Sequence, residues 1–129
     1  MTQELLMDKY PIFTTDITKE DSRFDSVDAI VAFLQEQIVA NPVAAFIGVF
    51  NHYEHTSSLE NGSIAEGICD AKNIIFCFGQ KIPNPKILAV RPRSIGVVET
   101  ANGFTLSFLE APMAPLTEKM VAWVEAIKK

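Results

Sequence analysis

The sequence predicts an α+β fold, a two-layer sandwich in which a mainly antiparallel sheet of about five strands carries two main helices on one face. Three observations lead there. Val27 to Ile38 and Leu116 to Ile127 place apolar residues at helical spacing, and several short runs elsewhere are β-branched or aromatic. Asn102-Gly103 lies between two of those runs, and that dipeptide favours the tight turn of a hairpin.

Met1 to Lys9 has no apolar period and is expected to be a helical turn or a tail. Tyr10 to Thr18 holds Ile12, Phe13, Thr14, Thr15 and Ile17, a strand composition, and Pro11 lacks a ladder donor, which suggests an edge. Asp25 and Ser26 offer an N-cap to a helix carrying Val27, Ile30, Val31, Leu34 and Ile38, which Asn41-Pro42 stops. Val43 to Phe50 is apolar on both parities, as expected of a central strand covered on both faces, with Gly48 allowing a helix or ring to approach closely. Ser57 to Ser63 reads as a loop and Ile64 to Ala71 as a short helix. Ile74 to Phe78 is a wholly apolar strand, followed by a loop from Gln80 to Lys86 that contains Pro83 and Pro85.

Ile95 to Glu99 and Phe104 to Leu109 form the hairpin. With Asn102-Gly103 as the two turn residues, Ala101 faces Phe104, Val97 opposes Phe108 and Ile95 opposes Glu110. Glu110 then shares a face with Leu106 and Phe108, and Arg93 is its diagonal neighbour. Past Pro115, the residues Leu116, Met120, Trp123, Val124 and Ile127 make one stripe of a final helix, with Trp123 buried on the sheet.

A chain of 129 residues with 48% hydrophobic content fits a single domain over residues 1–129. Sixteen acidic residues against eleven basic ones give a net charge of −5, which repels phosphate backbones and argues against nucleic acid as a partner. The longest apolar run, Val43 to Phe50, falls far short of the roughly 18 residues of a membrane span, and no basic start precedes an apolar stretch. The expectation is a cytoplasmic protein with no membrane partner. Cys69 and Cys77 match neither a redox pair nor a zinc spacing and read as free buried thiols.

The stretch richest in chemistry is Val90-Arg91-Pro92-Arg93-Ser94, two arginines at the mouth of an apolar core. Pro92 favours an extended chain, which puts both guanidiniums on one side, as a carboxylate or phosphate ligand requires. The competing role is an internal bond to Glu110 or Glu99. His52 and His55 are the only histidines. Three apart on a strand they point to opposite faces, so no metal is expected unless the chain turns at Tyr53; His52 alone, at a strand end, is the candidate general acid or base. There is no glycine-rich phosphate motif, and no cofactor is expected.

Phe46 to His52 with its polar-His end, Phe78-Gly79 with the Asn84-Pro85 loop, and Arg91 to Val97 ahead of the hairpin resemble the family known as domain of unknown function 302, small prokaryotic α/β proteins. The resemblance covers Ser22 to Met113. It departs at Asn51, where that family's pattern has Asp, and in the spacing of Asn84-Pro85 from Gly79. It implies a fold and no activity.

These residues lead to a binding or sensing module that holds a small anionic or amphipathic ligand at a sheet rim formed by His52, Arg91, Arg93 and Glu110. The alternatives are an enzyme in which His52 transfers a proton while an arginine anchors the substrate, and a homodimeric interaction protein working through an exposed sheet edge or face.

Overall fold

The computed structural model describes all residues from Met1 to Lys129. The chain forms β1 (Thr2–Leu6), β2 (Tyr10–Thr18), α1 (Val27–Ala40), β3 (Ala45–Asn51), α2 (His52–Ser57), β4 (Ile68–Cys77), a 3₁₀ turn (Ile87–Val90), β5 (Arg93–Thr100), β6 (Gly103–Leu109) and α3 (Ala114–Glu125). The six strands make one open antiparallel sheet in the order β1-β2-β6-β5-β4-β3. The α+β class holds, with one strand more than the sequence suggests and with the short helix at His52–Ser57 instead of Ile64 to Ala71.

Helix α1 starts where its cap does: the Ala29 N–H donates to Ser26 Oγ at 3.0 Å, and the Asn41 N–H closes the last turn on the Ile38 carbonyl. Its buried stripe is the predicted one, Val27, Ile30, Val31, Leu34 and Ile38. α3 buries Met120, Trp123 and Val124, and Ile127 is buried just beyond its end. Both helices lie on the face of the sheet built by Ile17, Ile74, Phe76, Ile95, Val97, Phe104, Leu106 and Phe108, one alternate set from each of four strands. The opposite alternate set, which includes Thr14, Asn73, Ser94 and Ser107, faces away from the helices. No helix is long and apolar enough to cross a membrane.

Several expectations are corrected. Met1 to Lys9 is neither helical turn nor tail: Thr2 to Leu6 pair with Thr14 to Tyr10, and all five β1 residues are exposed. Backbone hydrogen bonds hold β1, so no side-chain period marks it. β2 is therefore interior, and Pro11 is accommodated near the strand start, where its carbonyl accepts from the Glu110 N–H at 2.9 Å. Val43 to Phe50 is not a central strand but the outermost one, β3, with Ile47 and Val49 largely exposed. A Cβ on Gly48 would meet nothing within 4 Å, so that glycine follows the bulge between Phe46 and Gly48 without any close approach to explain it. Ile64 to Ala71 is not helical; β4 begins at Ile68. Cys69 and Cys77 are free, as expected, yet Cys69 is exposed and Cys77 only half-buried.

The β1–β2 hairpin turns at Met7 and Asp8, both at positive φ (57° and 58°), and the Lys9 N–H donates to the Leu6 carbonyl. This is the mirror-image turn that matches strand twist, made without glycine. Asp8→Gly should therefore stabilise by about 0.5–1 kcal/mol through relief of backbone strain. A urea midpoint that falls would show that the Asp8 side chain does more for the turn than its φ costs.

In the second hairpin Thr100 pairs with Gly103 and Val97 with Leu106, so the turn residues are Ala101-Asn102 and the expected pairing of Val97 with Phe108 is off by two. The β5–β6 ladder stops at Gly96 and Ser107. Beyond that point β5 stays on β4, with Arg93 opposite Phe76, while β6 stays on β2, with Leu109 opposite Ile12. The two central strands part like the arms of a fork.

Candidate functional site

Arg93 opens β5 at this fork, on the covered face, in the same alternate set as Ile95 and Val97. It is 8% exposed. Its Nη2 donates to the Leu109 carbonyl of β6 and its Nη1 to the Val90 carbonyl at 3.3 Å, so one side chain spans the gap that the ladder leaves. A guanidinium has five N–H donors, and here Nε finds no partner. No carboxylate pairs with it, and burial alone pushes its pKa below the ordinary arginine value. The residue stays charged, so the fold carries an uncompensated buried cation.

Arg91 stands two residues earlier, beyond the 3₁₀ turn. That turn is set by Asn84, whose side chain accepts from the Lys86 N–H at 2.8 Å, and it closes with the Arg91 N–H on the Leu88 carbonyl. Arg91 is half-buried, and its Nη1 donates to the Lys81 carbonyl at 2.6 Å. It too has no acidic partner. Both arginines line one cavity of about 330 Å³ whose other walls are mainly apolar: Val43, Phe78, Ile87, Ala111, Met113 and Leu116. The first turn of α3, which supplies Leu116, holds no acidic residue. The helix end therefore adds positive potential and no counter-charge.

Both arginines line the same cavity, but neither has the acidic partner the sequence suggests. Glu110 lies past the end of β6, exposed and in no ion pair, and it does not line the cavity. The Arg93–Glu110 bond fails because the ladder ends before it reaches that pair. Glu99, the other suggested partner, is held by Lys19 at 2.8 Å.

His52 is elsewhere. The chain does turn after β3, where Asn51 Oδ1 accepts from the Glu54 N–H at 2.9 Å and starts α2. The rings of His52 and His55 both pack on Phe50 at 5.4 Å and stand 6.4 Å from each other. His52 Nδ1 is 3.0 Å from Thr56 Oγ1. Asn51 pairs with Lys72 and Arg93 with Phe76, so His52 lies beside the middle of β4 and Arg93 beside its end, roughly 13 Å or more apart at the rise of a strand. The cavity beside His52, about 180 Å³, contains no arginine. No cluster of three or more His, Cys, Asp or Glu side chains is placed to hold a metal ion.

The cavity walls from Val43 and from Ala111 to Leu116 are absent from the sequence reading. Their apolar character shows in the sequence; their convergence on Arg91 depends on α3 packing back across the end of the sheet.

The whole chain, residues 1–129, matches the model of a family described as "Family of unknown function (DUF6858)". That is an uncharacterised family, as expected, but not domain of unknown function 302. No curated protein and no solved structure matches.

Proposed function

Because the chain belongs to that family of unknown function, which brings no activity with it, we propose from the geometry that it is a binding module for a small ligand with an anionic head and an apolar body. One observation carries the reading: two guanidiniums without any acidic partner stand in the wall of a cavity that is otherwise mostly apolar. A carboxylate or phosphate would supply the counter-charge the chain omits, and Arg presents its donors in the fork that such heads accept. A volume of about 330 Å³ lies at the small end of ligand pockets.

Octanoate is a suitable probe, with 1-octanol as its uncharged counterpart. By calorimetry octanoate should bind at least tenfold more tightly than the alcohol, and Arg91→Ala should weaken octanoate roughly tenfold, the equivalent of one charge-assisted hydrogen bond. Equal binding of acid and alcohol, or no binding of the acid at millimolar concentration, would overturn the reading.

The enzyme alternative has less support, since His52 shares no cavity with either arginine. A homodimer through β3 has a specific observation in its favour. From Val43 to Tyr53 the chain carries no charged residue, and Ile47 is 56% exposed on that outermost strand. Native mass spectrometry of the freshly purified protein reads ligand and assembly together, and a monomer at tens of micromolar would remove the dimer.

A further inference from the structure

The segment from Gln80 to Val90 pairs with no strand. Beyond its two chain ends, side-chain hydrogen bonds tie it to the rest of the protein at two points only, and both come from the cavity arginines. Arg91 Nη1 donates to the Lys81 carbonyl at 2.6 Å and Arg93 Nη1 to the Val90 carbonyl at 3.3 Å. The bonds inside the segment are local, such as the Lys86 N–H on Asn84 Oδ1 and the Ala89 N–H on the Lys86 carbonyl, so it can move as one piece. Every residue from Gln80 to Lys86 is exposed, yet Gln80, Lys81, Pro83, Ile87 and Val90 all line the larger cavity. A segment with little buried surface therefore forms one wall of the site, and such segments open locally at far less cost than a core.

The two arginines hold it differently. Arg93 is buried with both Nη nitrogens on carbonyls, a fixed post where the segment rejoins the sheet. Arg91 is half-buried and reaches back to the far end, across ten residues. Gly79 leaves room for that reach, since a Cβ there would lie 3.6 Å from Arg91 Nη1. The Lys81 carbonyl occupies one nitrogen of the Arg91 fork, which leaves Nη2 and Nε for an anion.

We propose that Gln80 to Val90 is a lid on the cavity, that the Arg91 guanidinium is its clasp, and that a bound anionic head keeps the clasp shut. The clasp needs no ligand; its response to one rests on the anionic-head reading above. Arg91 joins head and lid in one group, with Nη1 on the Lys81 carbonyl and its other donors on the carboxylate, while Pro83 and Ile87 close on the apolar body. A ligand that binds only the closed lid shifts the population toward it.

Trypsin reads the lid directly, because Lys86 lies in it and Lys119 lies in α3, packed on the core. Cleavage after each is followed by intact mass, and their ratio separates lid opening from global unfolding. In ligand-free protein, Arg91→Ala should raise cleavage at Lys86 relative to Lys119 roughly tenfold, the equivalent of one charge-assisted hydrogen bond. Octanoate at ten times its dissociation constant should slow cleavage at Lys86 in the wild type roughly tenfold. An unchanged ratio in Arg91→Ala, including an equal rise at both sites, overturns the lid. Octanoate that binds by calorimetry but leaves the Lys86 rate unchanged overturns the coupling. A lid that loosens in Arg91→Ala while octanoate fails to bind would sustain the clasp and remove only the ligand.

Discussion

Trp123→Ala should destabilise the protein by about 3–5 kcal/mol, the range of large aromatic truncations in a packed core. Trp123 is 6% exposed. Its ring stacks on Phe78 at 5.6 Å and 18° and meets Phe76 edge-on at 5.7 Å, while those two phenylalanines stand edge to face at 5.5 Å. The three rings join α3 to the end of β4, and each pair adds roughly 0.5–1.5 kcal/mol beyond buried area. Phe78 is also a wall of the larger cavity, so the truncation should loosen ligand binding in whatever fraction stays folded. Urea unfolding measures the loss, and Trp123→Phe should recover part of it. An unchanged midpoint would mean that α3 is peripheral to the core.

Gly103→Ala is the second large effect, about 3 kcal/mol or more. A Cβ there would lie inside van der Waals contact with the Ile17 carbonyl oxygen and 2.9 Å from Thr18 Cα, both backbone atoms that cannot rotate aside. Ordinary overpacking costs about 1–3 kcal/mol because side chains give way. Here the seam itself must shift, since Ile17 pairs with Phe104 and Thr18 with Gly103. Asn102→Ala, one residue earlier and exposed, is the control and should change little. A loss below about 1 kcal/mol for Gly103→Ala would show that β2 and β6 can separate locally without cooperative cost.

The same glycine shows what the sequence could and could not convey. Asn-Gly announces a hairpin, and the hairpin is there; but Gly103 is not at positive φ, and its reason is the closeness of β2, a strand more than eighty residues earlier. α1 and α3 are legible because cap and stripe are local, as Ser26 and the Val27 to Ile38 set show. The lateral order of strands is not local. Val43 to Phe50 looks like a buried strand because apolar residues on both parities usually mean two covered faces, whereas its actual neighbours are β4 on one side and nothing on the other. Arg93 shares the buried face of Ile95 and Val97 by parity alone, which an even slip in register preserves. Its lack of an acidic partner follows from where the β5–β6 ladder ends, and no pattern in the residues marks that point.

The two unpaired edges of the sheet are unlike, and that difference has a meaning in terms of symmetry. β1 places Glu4 at mid-strand, whereas β3 has no charge and carries a bulge. Joining β1 of one molecule to β3 of the next would leave one free edge of each kind and could continue as a filament. Joining β3 to β3 about a two-fold axis uses both apolar edges and stops at two. The charge on β1 thus works against joining β1 of one molecule to β3 of the next, the one arrangement of the two edges that would grow without end.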